Sequence, residues 1–203
     1  MSNRATLLTL FPLTLAALLW LAVGAFASLA AARGQVSADQ VANPAPSQAD
    51  RRPGPSLDLR LAQAGEAYTW AVWLDPLDPD HRQGLARVLE LKAARLPPGD
   101  AGARPLLNQA VDLYRSAAQA RPSWPYTWLY LARVKARLGA LDADFALALV
   151  NASRRGPWDA RVQAQLLELA IPLWELLRPD SKDVAALALQ RGVEARPAEV
   201  LEI

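Results

Sequence analysis

The chain contains no cysteine and a single histidine, His81, among its 203 residues. The absence of cysteine excludes disulfides, thiolate metal sites and cysteine nucleophiles, and one imidazole excludes any site that needs two. The chain also lacks a large excess of charge of one sign: its formal net charge is +2, and its basic runs are only pairs, such as Arg154 and Arg155. A nucleic-acid binder concentrates basic residues on one face, so we do not expect nucleic acid as a partner.

Motifs of enzyme chemistry are missing as well. The chain has no glycine loop that would cradle phosphate, no nucleophile elbow and no zinc motif. We therefore expect a protein that is not an enzyme and that uses no cofactor and no metal.

The most distinctive feature present is an uncharged segment that runs from Ala5 to Ala32. About 20 apolar residues are enough for a helix to cross the hydrocarbon core of a bilayer. Arg4 and the free amine precede the segment and Arg33 follows it closely. This weak positive-inside bias places the N-terminus in the cytoplasm. Residues 1–32 are thus predicted to be a cytoplasmic tip and a single transmembrane anchor.

A cleaved signal peptide is the competing interpretation of the same segment. Ser28-Leu29-Ala30 and Ala30-Ala31-Ala32 both resemble small-residue cleavage sites. The apolar core of a signal peptide is about 7–15 residues long, however, and this segment is roughly twice that length. The uncleaved anchor is favoured, and both interpretations carry the rest of the chain across the membrane.

The remainder divides into a linker and a helical domain. Residues 33–56 hold four prolines and few large apolar residues, which is typical of a linker. From residue 57 to 203, apolar residues recur at steps of three and four, so the domain is predicted to be all-α. Pro172 is expected to bend or split the sixth of its helices. The predicted helices cover residues 57–74, 80–96, 103–120, 125–138, 142–154, 158–177 and 181–195.

The ends of alternate helices repeat one pattern: a small, a large and a small residue, followed by proline. The small residues let a neighbouring helix approach, the large one fills the gap, and the proline stops the helix. This resembles the tetratricopeptide repeat, although the intervals between the prolines are unequal and that repeat has a constant period of about 34 residues. We therefore predict a degenerate tetratricopeptide-like array of about three units, with six to seven helices. The pattern occurs as Ala64, Tyr68, Ala71 and Pro76; as Ala110, Tyr114, Ala117 and Pro122; and as Ala185, Leu189, Gly192 and Pro197; Phe145, Leu149, Ala152 and Pro157 match it incompletely.

Two acidic segments are candidates for chemistry, but each has a simpler explanation. "LDPLDPDHRQ" places Asp78 and Asp80 next to His81, and "DADF" opens with Asp142 and Asp144. Carboxylates at the start of a helix cap its free N–H groups and suit its dipole. We expect these residues to be helix caps rather than a metal site or an acid/base pair.

The candidate contacts for a partner are aromatic and arginine side chains. In "RPSWPYTW", Trp128 is predicted to be core, whereas Trp124 and Tyr126 flank Pro125 and are either packed or exposed for binding. Arg154, Arg155 and Trp158 lie in "RRGPW". The two arginines suit the end of a helix, or they face an anionic polysaccharide or an acidic loop of a partner. Our candidate contacts for a partner or a glycan are Trp124, Tyr126, Arg154, Arg155 and Trp158.

Residues 120–177 resemble the VpsP family of polysaccharide biosynthesis proteins. The marks are W-P-Y-x-W at Trp124, the segment "LGALDADFALAL", "GPW" before the next helix, and Leu173-Trp174. The resemblance implies a single-pass protein of the bacterial inner membrane, with its bulk in the periplasm, associated with exopolysaccharide assembly. It brings no catalytic motif. It therefore implies a scaffold that contacts protein components of a polymerase or export system; the alternative is a module that binds the polysaccharide directly.

Overall fold

Helices make up all the regular secondary structure in the part of the chain that the computed structural model describes, which is residues 19–36, 38 and 56–195. This confirms the predicted all-α class. Residues 1–18, 37, 39–55 and 196–203, which hold half of the predicted anchor and most of the predicted linker, lie outside the described residues. The α-helices are α1 (Leu19–Val36), α2 (Leu57–Leu74), α3 (Pro79–Ala94), α4 (Ala103–Ala120), α5 (Pro125–Arg137), α6 (Ala143–Arg155), α7 (Ala160–Ala170) and α8 (Pro179–Ala195), with a 3-10 helix at Ile171–Leu176 between α7 and α8.

Side-chain caps and prolines determine where several of the helices begin. Asp142 accepts hydrogen bonds from the backbone N–H groups of Asp144 and Phe145, and Ser56 accepts one from Leu59. Pro79 and Pro125 are the first residues of α3 and α5, where a missing N–H has no cost. Each start therefore follows from a local signal in the sequence.

Glycine and proline determine where two of the helices end. Gly139, after α5, has a φ of 71°, the left-handed conformation that glycine adopts without strain. Pro172 ends α7 as expected: the α-helix stops at Ala170 and a 3-10 helix replaces it.

The α1 helix continues to Val36, past the predicted boundary at residue 32.

The chain forms two compact units, residues 1–85 and 86–203, and the boundary falls inside α3. In the first unit the ring of Tyr68 lies against two glycines. A methyl group added at Gly34 would come within 2.7 Å of Tyr68 Cδ2, and one added at Gly84 would also overlap the ring. Only glycine therefore fits at these two positions, and Tyr68 fills the gap that its place in the repeat pattern predicts.

The second unit is a stack of helix pairs. The α5 helix packs on α4 and α6, and α7 packs on α8. In addition, α5 contacts α7 and α6 contacts α8, so the first helices of successive pairs adjoin one another, as do the second helices. This is the arrangement of a helical repeat.

The small–large–small pattern places its residues in the core. Ala110, Tyr114 and Ala117 are fully buried, and Phe145 and Leu149 are 1% exposed. In the last helix Leu189 is 47% exposed, so the expectation that it fills a gap is wrong. The α8 helix is the last element among the described residues, and about half of this side chain stays uncovered.

One buried carboxylate connects three helices of the second unit. Glu90, at 2% exposure, accepts a hydrogen bond of 2.7 Å from the Tyr114 hydroxyl and one of 3.1 Å from Arg133. Arg137 lies 3.5 Å and Arg87 3.9 Å from the same carboxylate. Burial, and then the charge of Glu90, raise the pKa of Tyr114 well above its ordinary value. The carboxylate therefore ties α3 to α4 and α5.

Replacing Glu90 with Gln should destabilise the protein by about 2 kcal/mol. Loss of one partner of a buried ion pair costs about 3–5 kcal/mol, and the cost is smaller here because the arginines are partly exposed. The measurement is urea unfolding of the detergent-solubilised chain, followed by circular dichroism. Glu175→Gln, which changes an exposed carboxylate, is the matched control and should have little effect. Equal stability of the two variants would contradict the role of Glu90.

Candidate partner-binding surface

Trp124 precedes α5 and is held outside the helix by the next residue. Pro125 disfavours helical backbone at the position before it, and Trp124 adopts φ −89° and ψ 110°. Its side chain is 43% exposed. The guanidinium of Arg121 lies 5.1 Å from the centroid of its ring. Trp124 is therefore half-exposed beside a cation.

Tyr126 is partly buried and joins α5 to the start of α7. Its hydroxyl donates a hydrogen bond of 2.8 Å to Asp159, and Asp159 also caps α7 by accepting from the N–H groups of Arg161 and Val162. Burial, followed by the hydrogen bond and charge of Asp159, raises the pKa of Tyr126 to about 12. Tyr126 thus has a structural role in addition to any role in binding.

The exposed ring of Trp124 begins a row of three aromatic side chains along α5. The ring centroids of Trp124 and Tyr126 are 5.5 Å apart, and those of Tyr126 and Tyr130 are 6.4 Å apart. Arg133 lies 4.8 Å from the centroid of Tyr130, at the end of the row opposite Arg121. We call Trp124, Tyr126 and Tyr130 the aromatic row.

Sequence reasoning missed Tyr130 and Arg133. Their signal was the helical spacing: Tyr130 is four residues after Tyr126, and Arg133 is three residues further on. Arg133 also lines a cleft of about 260 Å³ between α5 and α7, together with Leu129, Gln165, Glu168 and Leu169.

The second predicted segment, "RRGPW", lies beside the first. A methyl group added at Gly156 would come within 3.1 Å of Cβ of Pro125 and of Cγ2 of Val162. Arg154 and Arg155, at the end of α6, are exposed, and Trp158 is 74% exposed. The contact of Gly156 with Pro125 therefore brings the two segments together. We call Trp124, Tyr126, Arg154, Arg155 and Trp158 the tryptophan–arginine surface.

Trp128 belongs to the core, as predicted. It is 9% exposed, and its indole N–H donates a hydrogen bond of 3.0 Å to the carbonyl of Pro122. Of the two tryptophans in this segment, Trp128 is therefore a core residue and Trp124 is a surface residue.

The acidic candidate at the start of α3 behaves as a cap. The backbone N–H of Asp80 donates to Asp78 at 2.8 Å, and Nε2 of the buried His81 lies 3.5 Å from the other Asp78 oxygen. Among the described residues, no three or more potential ligands of the histidine, cysteine and carboxylate types are grouped to hold a metal ion.

The second acidic candidate forms ion pairs. Lys135 lies 3.0 Å from Asp142 and 3.2 Å from Asp144, and Arg115 lies 2.9 Å from Asp144. Burial alone would raise the pKa of Asp144, but Arg115 and Lys135 outweigh it and hold the pKa below its ordinary value. These paired carboxylates stabilise the packing of α4, α5 and α6.

The fold can be compared with a solved structure. A crystal structure of a thermophilic TPR protein from Thermus thermophilus aligns with a TM-score of 0.56 at 20% sequence identity, covering 72% of this chain and 75% of that one. The fold is tetratricopeptide-like. At this identity the likeness concerns the fold alone. No protein-family model matches the chain, and no curated protein matches it.

The tetratricopeptide-like domain should lose stability in alkali partly through Tyr126. Its folded pKa of about 12 exceeds the ordinary 10.0, so between these values the unfolded state has lost a proton that the folded state keeps. The stability from this group is therefore complete below pH 10 and is lost as the pH rises towards 12. The measurement is the free energy of unfolding across this range. It should fall less steeply in Tyr126→Phe than in the wild type, and equal slopes would contradict the assignment.

Proposed function

We propose that this chain is a membrane-anchored scaffold of bacterial exopolysaccharide biosynthesis and export, acting in the periplasm through contacts with proteins. The observation that carries the proposal is the tetratricopeptide-like stack, since such arrays present extended surfaces to partner helices and loops. The fold supports protein partners in general. The link to exopolysaccharide comes from the resemblance of residues 120–177 to the VpsP family.

Membrane anchoring is supported by α1. Leu19–Val36 is long and apolar enough to cross a membrane, on the basis of its length and composition. The core helix of a soluble domain would be mostly buried, whereas Trp20, Phe26 and Leu29 are 76%, 68% and 51% exposed. Large apolar side chains that the described part of the chain leaves uncovered fit a lipid environment.

The tryptophan–arginine surface is the part of the domain that we assign to the partner. Half-exposed or exposed tryptophans and arginines are enriched where interfaces have their largest energetic contributions. The contact between Gly156 and Pro125 gathers both segments at one end of α5. A partner with an apolar side chain and a nearby carboxylate would match this chemistry.

Affinity capture of the tagged full-length chain from membranes, read by mass spectrometry, tests the scaffold. Polymerase, chain-length or export proteins should be recovered, and deletion of the gene should lower the amount of polysaccharide. Trp124→Ala combined with Trp158→Ala should reduce recovery about tenfold or more, as expected for the loss of interface residues that each contribute above 1 kcal/mol.

Trp174→Ala is the matched control, because Trp174 is 41% exposed, close to the value for Trp124, but lies in the 3-10 helix. It should leave recovery unchanged. Recovery of unrelated soluble proteins only, with normal polysaccharide after deletion, would contradict the scaffold. A reporter fused after Ile203 that is active in the cytoplasm would contradict the periplasmic location.

A glycan-binding module is the second candidate, and the aromatic row favours it. Sugar rings present C–H groups that stack on aromatic faces, and the row offers consecutive rings 5.5 and 6.4 Å apart. Arg121, next to Trp124, would suit an anionic polymer, whereas the guanidinium of Arg133 is already paired with Glu90.

Titration of the detergent-solubilised chain with the purified polysaccharide separates the two candidates. If the glycan binds the aromatic row, tryptophan fluorescence should change in a saturable way, and Trp124→Ala should abolish most of the change. Trp174→Ala should retain it. A response that does not saturate, or one that Trp124→Ala leaves intact, would exclude the glycan-binding function at this row.

A further inference from the structure

The α2 helix exposes two tryptophans that its own packing does not use. Trp70 and Trp73 are 60% and 71% exposed, and their rings meet edge to face with centroids 5.7 Å apart. Leu77, in the turn after α2, is 81% exposed. The buried residues of the helix are Leu61, Ala64, Gly65, Tyr68 and Ala71. The two tryptophans and Leu77 therefore form a large apolar surface that solvent, lipid or a partner protein could contact.

The surrounding sequence is free of charge. After Glu66, α2 continues as "AYTWAVWL" and the next charged residue is Asp75. Tryptophan is the residue most typical of the boundary between lipid headgroups and hydrocarbon, because its large apolar ring carries a polar N–H. The second half of α2 thus has the composition of an interfacial segment.

The position of Trp70 in the first unit connects this surface with α1. Trp70 and Glu66 line a cavity of about 600 Å³ together with Ala32, Arg33 and Val36 from the C-terminal end of α1. If α1 spans the membrane, this end lies where the span leaves the hydrocarbon, and the charge of Arg33 belongs among the headgroups. Trp70 then lies at the same depth, at the boundary between the headgroups and the hydrocarbon.

We propose that Trp70 and Trp73 are an interfacial anchor that inserts into the headgroup boundary of the membrane spanned by α1. The inference rests on the membrane anchoring put forward above. The occupant of this surface is lipid. The anchor holds α2 against the membrane surface, in addition to the covalent connection through residues 37–56.

The cysteine-free chain allows a test with single spin labels and no background labelling. The full-length protein carries Leu77→Cys, Phe26→Cys or Leu147→Cys and is reconstituted in vesicles of phosphatidylcholine and phosphatidylglycerol. Phe26 lies in α1, and Leu147 is a 51% exposed residue of α6. The measurement compares the accessibility of each label to oxygen, which enters lipid, with that to a water-soluble nickel chelate.

The ratio of oxygen to nickel-chelate accessibility should be highest at residue 26 and several-fold higher at residue 77 than at residue 147. Adding Trp70→Ala and Trp73→Ala to the Leu77→Cys chain should lower its ratio to the value at residue 147. Trp158→Ala, which removes a tryptophan that is 74% exposed in the second unit, should leave the ratio unchanged. Circular dichroism should be the same for all variants, because the replaced side chains are exposed.

The outcomes separate this inference from its premise. A lipid-exposed label at residue 26 with equal ratios at residues 77 and 147 would overturn the interfacial anchor and leave the membrane span intact. A water-exposed label at residue 26 would overturn the span itself. Low accessibility to both reagents at residue 77 would indicate a protein contact in place of lipid, and would also overturn the proposal.

Discussion

Close approach of helices at alanine and glycine is the constraint on which the rest of the structure depends. Ala110 and Ala117 have no exposed surface, and the fully buried ring of Tyr114 lies between them in the sequence. In the first unit, Gly34 and Gly84 leave the space that the ring of Tyr68 occupies. Helices whose backbones come this close leave no room for a larger side chain, so the small residues determine which faces pack.

Buried polar groups determine which helices pack against one another. The carboxylate of Glu90 satisfies the hydroxyl of Tyr114 and the guanidinium of Arg133. Lys135 similarly joins α5 to both carboxylates at the start of α6. Burial of such groups is costly unless each one finds its partner, so these pairs favour the observed arrangement over alternatives with the same apolar contacts.

The surfaces proposed for function lie where this packing stops. Trp124 stays outside α5 because Pro125 follows it. Arg154 and Arg155 are the last two residues of α6, which ends just before Gly156 and Pro157. Trp70 and Trp73 occupy the side of α2 that does not enter the core. Tryptophan is therefore exposed at two separate places, and we propose one of them for a protein partner and the other for lipid.

The sequence by itself determined the helical class, most helix boundaries, the break at Pro172 and the burial of Trp128, because these follow from local signals such as periodicity, caps and proline. The uncharged N-terminal segment was likewise visible as a candidate span. Tertiary structure decided that Gly156 packs on Pro125, that Tyr126 donates a hydrogen bond to Asp159, and that Leu189 stays exposed. The first two are contacts between residues far apart in the chain. The periodicity of one helix predicts which of its faces is buried, but it does not say which residues of another helix that face will meet.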